Sequence, residues 1–244
     1  MGTKTVTVYV RRKRKPFKFH KRLLCNRSDF FDKAFNGRFQ EADGEIYLPD
    51  DDFGAFEVLV NFNHSNRLPE LPGPNPSTTV VDFETVNAFY NSVLFPSYFL
   101  AEKLCMNELA NRIMDMIQDV QLAQGHAPSV YNVETIYPNT HAERKLRIYC
   151  VLMLLQVRAL LGCDENHAEW LTKSVRDFPD FAMDFIRLQG EFHAKFYRSN
   201  KAADAQKHND REGFGRCFLH THTKREGCHL EGDASGRELI LDEY

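Results

Sequence analysis

This 244-residue sequence lacks a long hydrophobic run, an excess of either charge and any internal repeat. Its longest purely apolar stretch, Ile148 to Leu155, is bracketed by Arg147, Gln156 and Arg158. That is far short of the ~20 residues a bilayer-spanning helix needs. The opening "MGTKTV" has no apolar signal segment, Val6 stands where a myristoylation pattern needs Ser or Thr, and the closing "LDEY" is no prenylation box. The expectation is a protein of the cytosol, the nucleus or both, with no membrane partner. A net charge of -3 excludes a chain that is basic throughout, so any nucleic-acid face would be local. Also absent are a glycine-rich phosphate loop, a Gly-x-Ser-x-Gly elbow, a metal-plus-Glu helical motif, a finger array and a helix-turn-helix. No enzyme is expected, no catalytic residue is assigned, and nucleic acid is not an expected partner.

What is present is a foldable composition, with 43% hydrophobic and 27% charged residues and 20 Phe. Cys25, Cys105, Cys150 and Cys163 lie far apart and read as buried, reduced thiols. "RRKRKPFKFHKRLLC" packs eight Lys or Arg into residues 11–25, and so reads as an import signal, a nucleic-acid arm or a solvated hairpin tip.

Periodicity decides among these. "TVTVYV" (Thr5 to Val10) alternates as a half-buried strand, and Phe17 and Phe19 flank Lys18 at the same period. The two runs predict a hairpin with the basic residues at its turn. Leu23 and Leu24 then start a helix, and Ser28 caps another whose Phe31 and Phe35 share a face. "GEIYLPD" is a short strand. "DDDFGAFEVLVNFNH" is a helix with acidic residues at its positive end and Phe53, Phe56, Leu59 and Val60 on its apolar face. Arg67 to Thr79 is a proline-rich loop. Two helical stretches follow, the second with a phase slip near Met106 and Asn107. After a linker at 124–129 come "AERKLRIYCVLMLLQVRALLG", too apolar to lack a partner surface, and two more helices. The segment from Ser199 to Arg216 is polar and expected to be poorly ordered.

The stretch "PFKFHKRLLCNRSDFFDKAFNGRFQEADGEIYLPDDDFGAFEVLVNF" resembles the core of a BTB/POZ domain. The resemblance is carried by Phe17, Phe19, His20, Lys21, Leu23, Leu24, Ser28, the Phe30–Phe31 pair, Phe35, Phe39, Glu41, Ile46, Leu48, Asp51 and Phe56. "SYFLAEKLCMNELANRIMD" is similar to the family's next helical pair. Further on, Ile136 to Thr140, Arg144 to Leu161, Phe178 to Phe181 and Cys217 to Cys228 are similar to fungal BTB proteins, more loosely.

The resemblance implies an α+β fold, mostly helical with a small sheet, over residues 3–122. A helical extension would follow over 130–198, then a polar, partly disordered tail over 199–244. It implies a protein–protein interaction module, with a cullin scaffold or another BTB chain as partner. Phe39 and Glu41 fit the family's hydrophobic-x-Glu docking motif for cullin-type ubiquitin ligases. The alternative is a nuclear transcription or chromatin regulator acting through BTB-mediated assembly. Only four residues precede Thr5, so the helix that strand-exchanged BTB homodimers use is not expected. The first strand is expected to be an exposed edge. Where the family reads Tyr-Thr-Gly after its long helix, this chain has His64, Ser65 and Asn66. His20 is read as a core histidine.

No cofactor is required by these readings, but the tail offers one. In "CFLHTHTKREGCH", Cys217, His220, His222 and Cys228 supply thiolates and imidazoles within twelve residues, the ligand types of structural zinc. The spacing matches no standard finger. The alternatives are a flexible tail with Cys and His by composition, or a reduced cysteine pair.

Overall fold

A computed structural model describes residues 4–37, 43–73, 81–124, 130–162, 165–197, 203–223 and 227–230. The chain divides into two compact units, Met1–Ile117 and Gln118–Tyr244. The fold is α+β, mostly helical with one small sheet.

In the first unit, β1 (Thr5–Val10) and β2 (Lys15–His20) form the expected hairpin, with Val8 opposite Phe17. The turn at residues 11–14 places Arg11 and Arg14 in left-handed conformations, at φ 60 and 50. The third strand, β3 (Glu45–Leu48), pairs parallel to β1, so the order is β2-β1-β3. The first strand is therefore central, not the edge expected from the sequence. Parallel pairing needs a crossover, and here it comes after two helices. Local alternation in β1 cannot announce a partner so far along the chain. Burial agrees with a central position, since Val6, Val8 and Val10 are all 2% exposed or less.

The crossover consists of α1 (Lys21–Arg27) and α2 (Asp29–Asn36). Ser28 joins them as predicted, its Oγ accepting from Phe31 N–H at 3.1 Å. The same hydroxyl donates to the Leu104 carbonyl at 2.6 Å. Phe31 and Phe35 stack at 5.9 Å and are fully buried, each contributing roughly 1.5–3 kcal/mol of burial free energy. Leu24 is buried and Leu23 half-buried. His20 corrects the reading of a core histidine: it is exposed, because Phe19 takes the inward position of β2.

Asp52 caps α3 (Phe53–Ser65) by accepting from Ala55 N–H at 2.9 Å. Its buried face is Ala55, Phe56, Val58, Leu59 and Phe62, while Phe53 and Val60 are only half-buried. The helix ends at Asn66, which is left-handed at φ 58. Asparagine is among the few non-glycine residues that adopt this conformation readily. This is the physical basis for Asn66 at the place of the glycine in the related Tyr-Thr-Gly pattern.

α4 (Phe83–Phe89) continues through a π-helical turn (Tyr90–Leu94) into α5 (Phe95–Lys103). Pro96 follows directly on the π-helical turn, the kind of irregularity with which a continuous helix accommodates a residue that lacks an N–H. The chain then breaks at Leu104–Met106, with Cys105 at φ 51, before α6 (Asn107–Gln124). The expected phase slip is this break. Leu109, Ile113, Met114 and Ile117 are buried, and Met116 is half-buried. Cys105, expected to be buried, is exposed by the break. Cys25 and Cys150 are buried, and Cys163 lies outside the described residues.

The second unit contains α7 (Val130–Asn139), α8 (Lys145–Leu161), α9 (Glu165–Asp177) and α10 (Pro179–Tyr197). α8 carries the apolar run, with Tyr149 through Leu155 all buried, and α10 is its main partner. Arg147, on the same helix, is 3% exposed. Its guanidinium donates to the Tyr137 carbonyl at 2.9 Å, to Thr140 Oγ1 at 2.9 Å and to the Thr140 carbonyl. It also pairs with Asp180 at 3.1 Å and lies 4.4 Å from the Tyr137 ring centre. After α10, residues 203–223 form successive turns. Among their bonds, Ala205 N–H donates to Gln156 Oε1 at 3.0 Å, and Gln118 donates to the Ala205 carbonyl at 2.7 Å. Among the described residues, no helix is long and apolar enough to cross a membrane.

Candidate functional site

Two regions carry the residues singled out by the sequence. The first surrounds the hairpin. Phe39 and Glu41 fall within residues 38–42, outside the described residues. The chain on either side is defined. Gly37 N–H closes α2 on the Lys33 carbonyl at 2.9 Å, and Gly44 at φ 97 turns the chain so that its carbonyl receives Thr7 N–H at 2.8 Å. In sequence, residues 38–42 fall between the end of α2 and the turn that leads into β3.

The hairpin tip is exposed from Arg11 to Lys15 and faces an acidic shoulder. Arg11 pairs with Asp52 at 3.1 Å, the Arg14 guanidinium lies 4.8 Å from the Tyr47 ring centre, and Lys15 Nζ lies 3.9 Å from that of Phe53. Behind it, Asp51 is buried and takes Lys103 Nζ on both oxygens, at 2.7 and 2.9 Å. Three of the five tip cations therefore have partners on their own fold. Each exposed contact contributes little alone, ~0–1 kcal/mol, but together they direct the basic run along the surface of β3 and α3.

The second region is the Cys/His segment. Gly215, left-handed at φ 117, starts a turn in which Phe218 N–H reaches the Gly215 carbonyl at 3.3 Å and His220 N–H the Cys217 carbonyl at 3.1 Å. Phe218 anchors that turn edge-to-face on Phe192 of α10, with ring centres 5.5 Å apart. Phe214 adds contacts to Phe192 and Phe196. Lys145 at the start of α8 donates to the Phe218 carbonyl at 2.8 Å, and burial holds its ammonium below the usual lysine range. Sequence reasoning passed over Lys145, because a lysine opening an apolar helix looks like an ordinary solvated residue.

On this platform, Cys217, His220, His222 and Cys228 place one ligand atom each within 4.8 Å of one another. His220 and Cys228 are buried, at 4% and 7% exposure. His220 Nδ1 is 3.3 Å from Cys228 Sγ, and Leu230 N–H points at that sulfur from 3.5 Å. His229 stacks against the His220 ring at 5.1 Å. Residues 224–226, between the two halves of the cluster, lie outside the described residues.

The order strand, strand, helix, helix, strand, helix, with a parallel β1–β3 pair, gives the first unit an α+β fold built on one crossover. The sequence model of the BTB/POZ domain family matches residues 3–90, and this part of the chain is a BTB/POZ domain. BTB domains mediate binding to other proteins. No curated protein matches the chain.

Proposed function

We propose that this BTB protein is a substrate adaptor for a cullin-type ubiquitin ligase, docking the scaffold through Phe39 and Glu41. The BTB/POZ match over residues 3–90 carries the reading. The Phe39-Gln40-Glu41 order just ahead of β3 supports it. An apolar anchor with a charge at its rim is the layout of an interface hot spot, where the ring supplies buried area and the charge supplies selectivity. The test is co-purification of cullins with the wild-type chain and with a Phe39→Ala/Glu41→Lys variant. Loss of one central aromatic anchor costs ~2–4 kcal/mol, so recovery should fall at least about thirtyfold. Undiminished recovery with a variant of unchanged melting temperature would remove the reading.

A second reading, a nuclear regulator acting through BTB-mediated assembly, is favoured by the exposed cations at 11–15. Against it stand their partners Asp52, Tyr47 and Phe53, since an import signal needs a free, extended segment. The full-length chain fused to a reporter too large to diffuse through nuclear pores should remain outside the nucleus, whereas nuclear accumulation that is lost when Arg11 to Lys15 are neutralised would favour this second reading.

A further inference from the structure

We propose that Cys217, His220, His222 and Cys228 form a structural zinc site that clamps the C-terminal segment onto the helices of its unit. The chemistry of the donor set is specific. Two sulfurs and two imidazoles suit a borderline-soft ion and do not suit magnesium, calcium or manganese, which prefer oxygen. Two thiolates also neutralise a divalent cation, so the assembled site carries no net charge into a mostly buried place.

The geometry is close to what zinc requires. A tetrahedral ion with Zn–S near ~2.3 Å and Zn–N near ~2.0–2.1 Å holds its ligand atoms about 3.3–3.8 Å apart. The His220 Nδ1 to Cys228 Sγ distance of 3.3 Å already falls there, and the full set is bounded at 4.8 Å. The Leu230 N–H directed at Cys228 Sγ is the outer-shell donor that stabilises a metal-bound thiolate. Four protein ligands leave no open position for water or substrate, so the ion would be structural and not catalytic.

The surroundings supply what a clamp needs. Cys217 and His220 occupy a single turn, held by Phe218 on Phe192 and by Lys145 on the Phe218 carbonyl. Cys228 approaches from beyond residue 226. A bound ion therefore links a turn already fixed to α8 and α10 with the stretch at residues 227–230. Metal affinity then becomes folding free energy for that stretch.

The test uses the full-length chain. Purified under reducing conditions and equilibrated with zinc, it should retain one zinc per chain by elemental analysis. Cobalt in its place should give the intense visible bands of a tetrahedral site and a thiolate charge-transfer band. Cys228→Ser should weaken zinc binding on the order of a hundredfold or more. Cys105→Ser, exposed and outside the cluster, should leave affinity unchanged. If Cys228→Ser fails to fold, Cys217→His keeps four ligands and should keep the metal, with about half the charge-transfer intensity. Alkylation supplies an independent readout: Cys217 and Cys228 should be protected in the zinc-loaded chain and react after chelation. A folded wild-type chain that retains no zinc, or equal alkylation with and without chelator, would overturn the proposal.

Discussion

Ser28 shows how much one side chain settles. Its hydroxyl accepts from Phe31 N–H, capping α2, and donates to the Leu104 carbonyl at the break before α6. The cap was legible in the sequence because a serine before an aromatic helical face is a local signal. The bond to Leu104 was not, since 76 residues separate the partners. Ser28→Ala loses both and leaves a buried carbonyl short of a donor, so destabilisation should be about 1–3 kcal/mol. Ser28→Thr retains the oxygen and should recover part of it. Urea unfolding followed by circular dichroism would measure both; an alanine variant within about 0.3 kcal/mol of wild type would show that the second bond contributes nothing. Cys105 teaches the opposite lesson. Its apolar neighbours suggested burial, but the left-handed conformation at the helix break turns it outward.

At the scale of elements, the helices of the second unit depend on Arg147. Its position at the edge of an apolar run made it look like a charged bracket. In fact it is buried and donates to the Tyr137 carbonyl in the last turn of α7 and to the Thr140 carbonyl just beyond it, while reaching Asp180 on α10. A planar fork of donors serves several acceptors at once, which a lysine ammonium cannot match in geometry. Arg147→Met leaves buried carbonyls without a donor and should destabilise the protein by about 1–3 kcal/mol, and Arg147→Lys should recover less than half of that. Thermal denaturation of the three proteins distinguishes this from a surface role, for which all three would melt together. Element identity and order were largely readable here, because period-two and period-3.6 patterns are local. The central position of β1 and the placement of Arg147 depend on contacts between distant segments and left no local trace. In the candidate sites the split is similar: the ligand types of the cluster could be read directly, but the Lys145 and Phe192 supports beneath it could not.

For the whole molecule, buried titratable groups set an alkaline limit to stability. Burial pushes the Cys150 thiol up from its ordinary 9.0 to about 12 and raises the Tyr137 and Tyr90 phenols in the same direction. The neutral form is favoured in the folded state, so this stability is fully present below about pH 9. It is lost as pH rises from there towards 12, because the unfolded chain releases its proton first. The slope from one such thiol is at most about 1.4 kcal/mol per pH unit. Cys150→Ala should lower stability at neutral pH through the cavity it leaves, yet show a shallower decline above pH 9. Parallel curves for the two proteins would contradict this.

The arrangement of the sheet has a bearing on solubility. With β1 in the centre, both neighbours are flanks at which another chain's strand could add, the usual beginning of sheet-based aggregation. One flank, β3, has only four residues and offers a short template. The other, β2, begins Lys15-Pro16 and carries exposed Lys18. A proline in an outer strand removes a donor from the row an incoming strand would use, and lysines there oppose the approach of a like copy. The cationic hairpin thus limits polymerisation as well as shaping a surface. A module that binds other proteins thus offers their strands little of its own backbone.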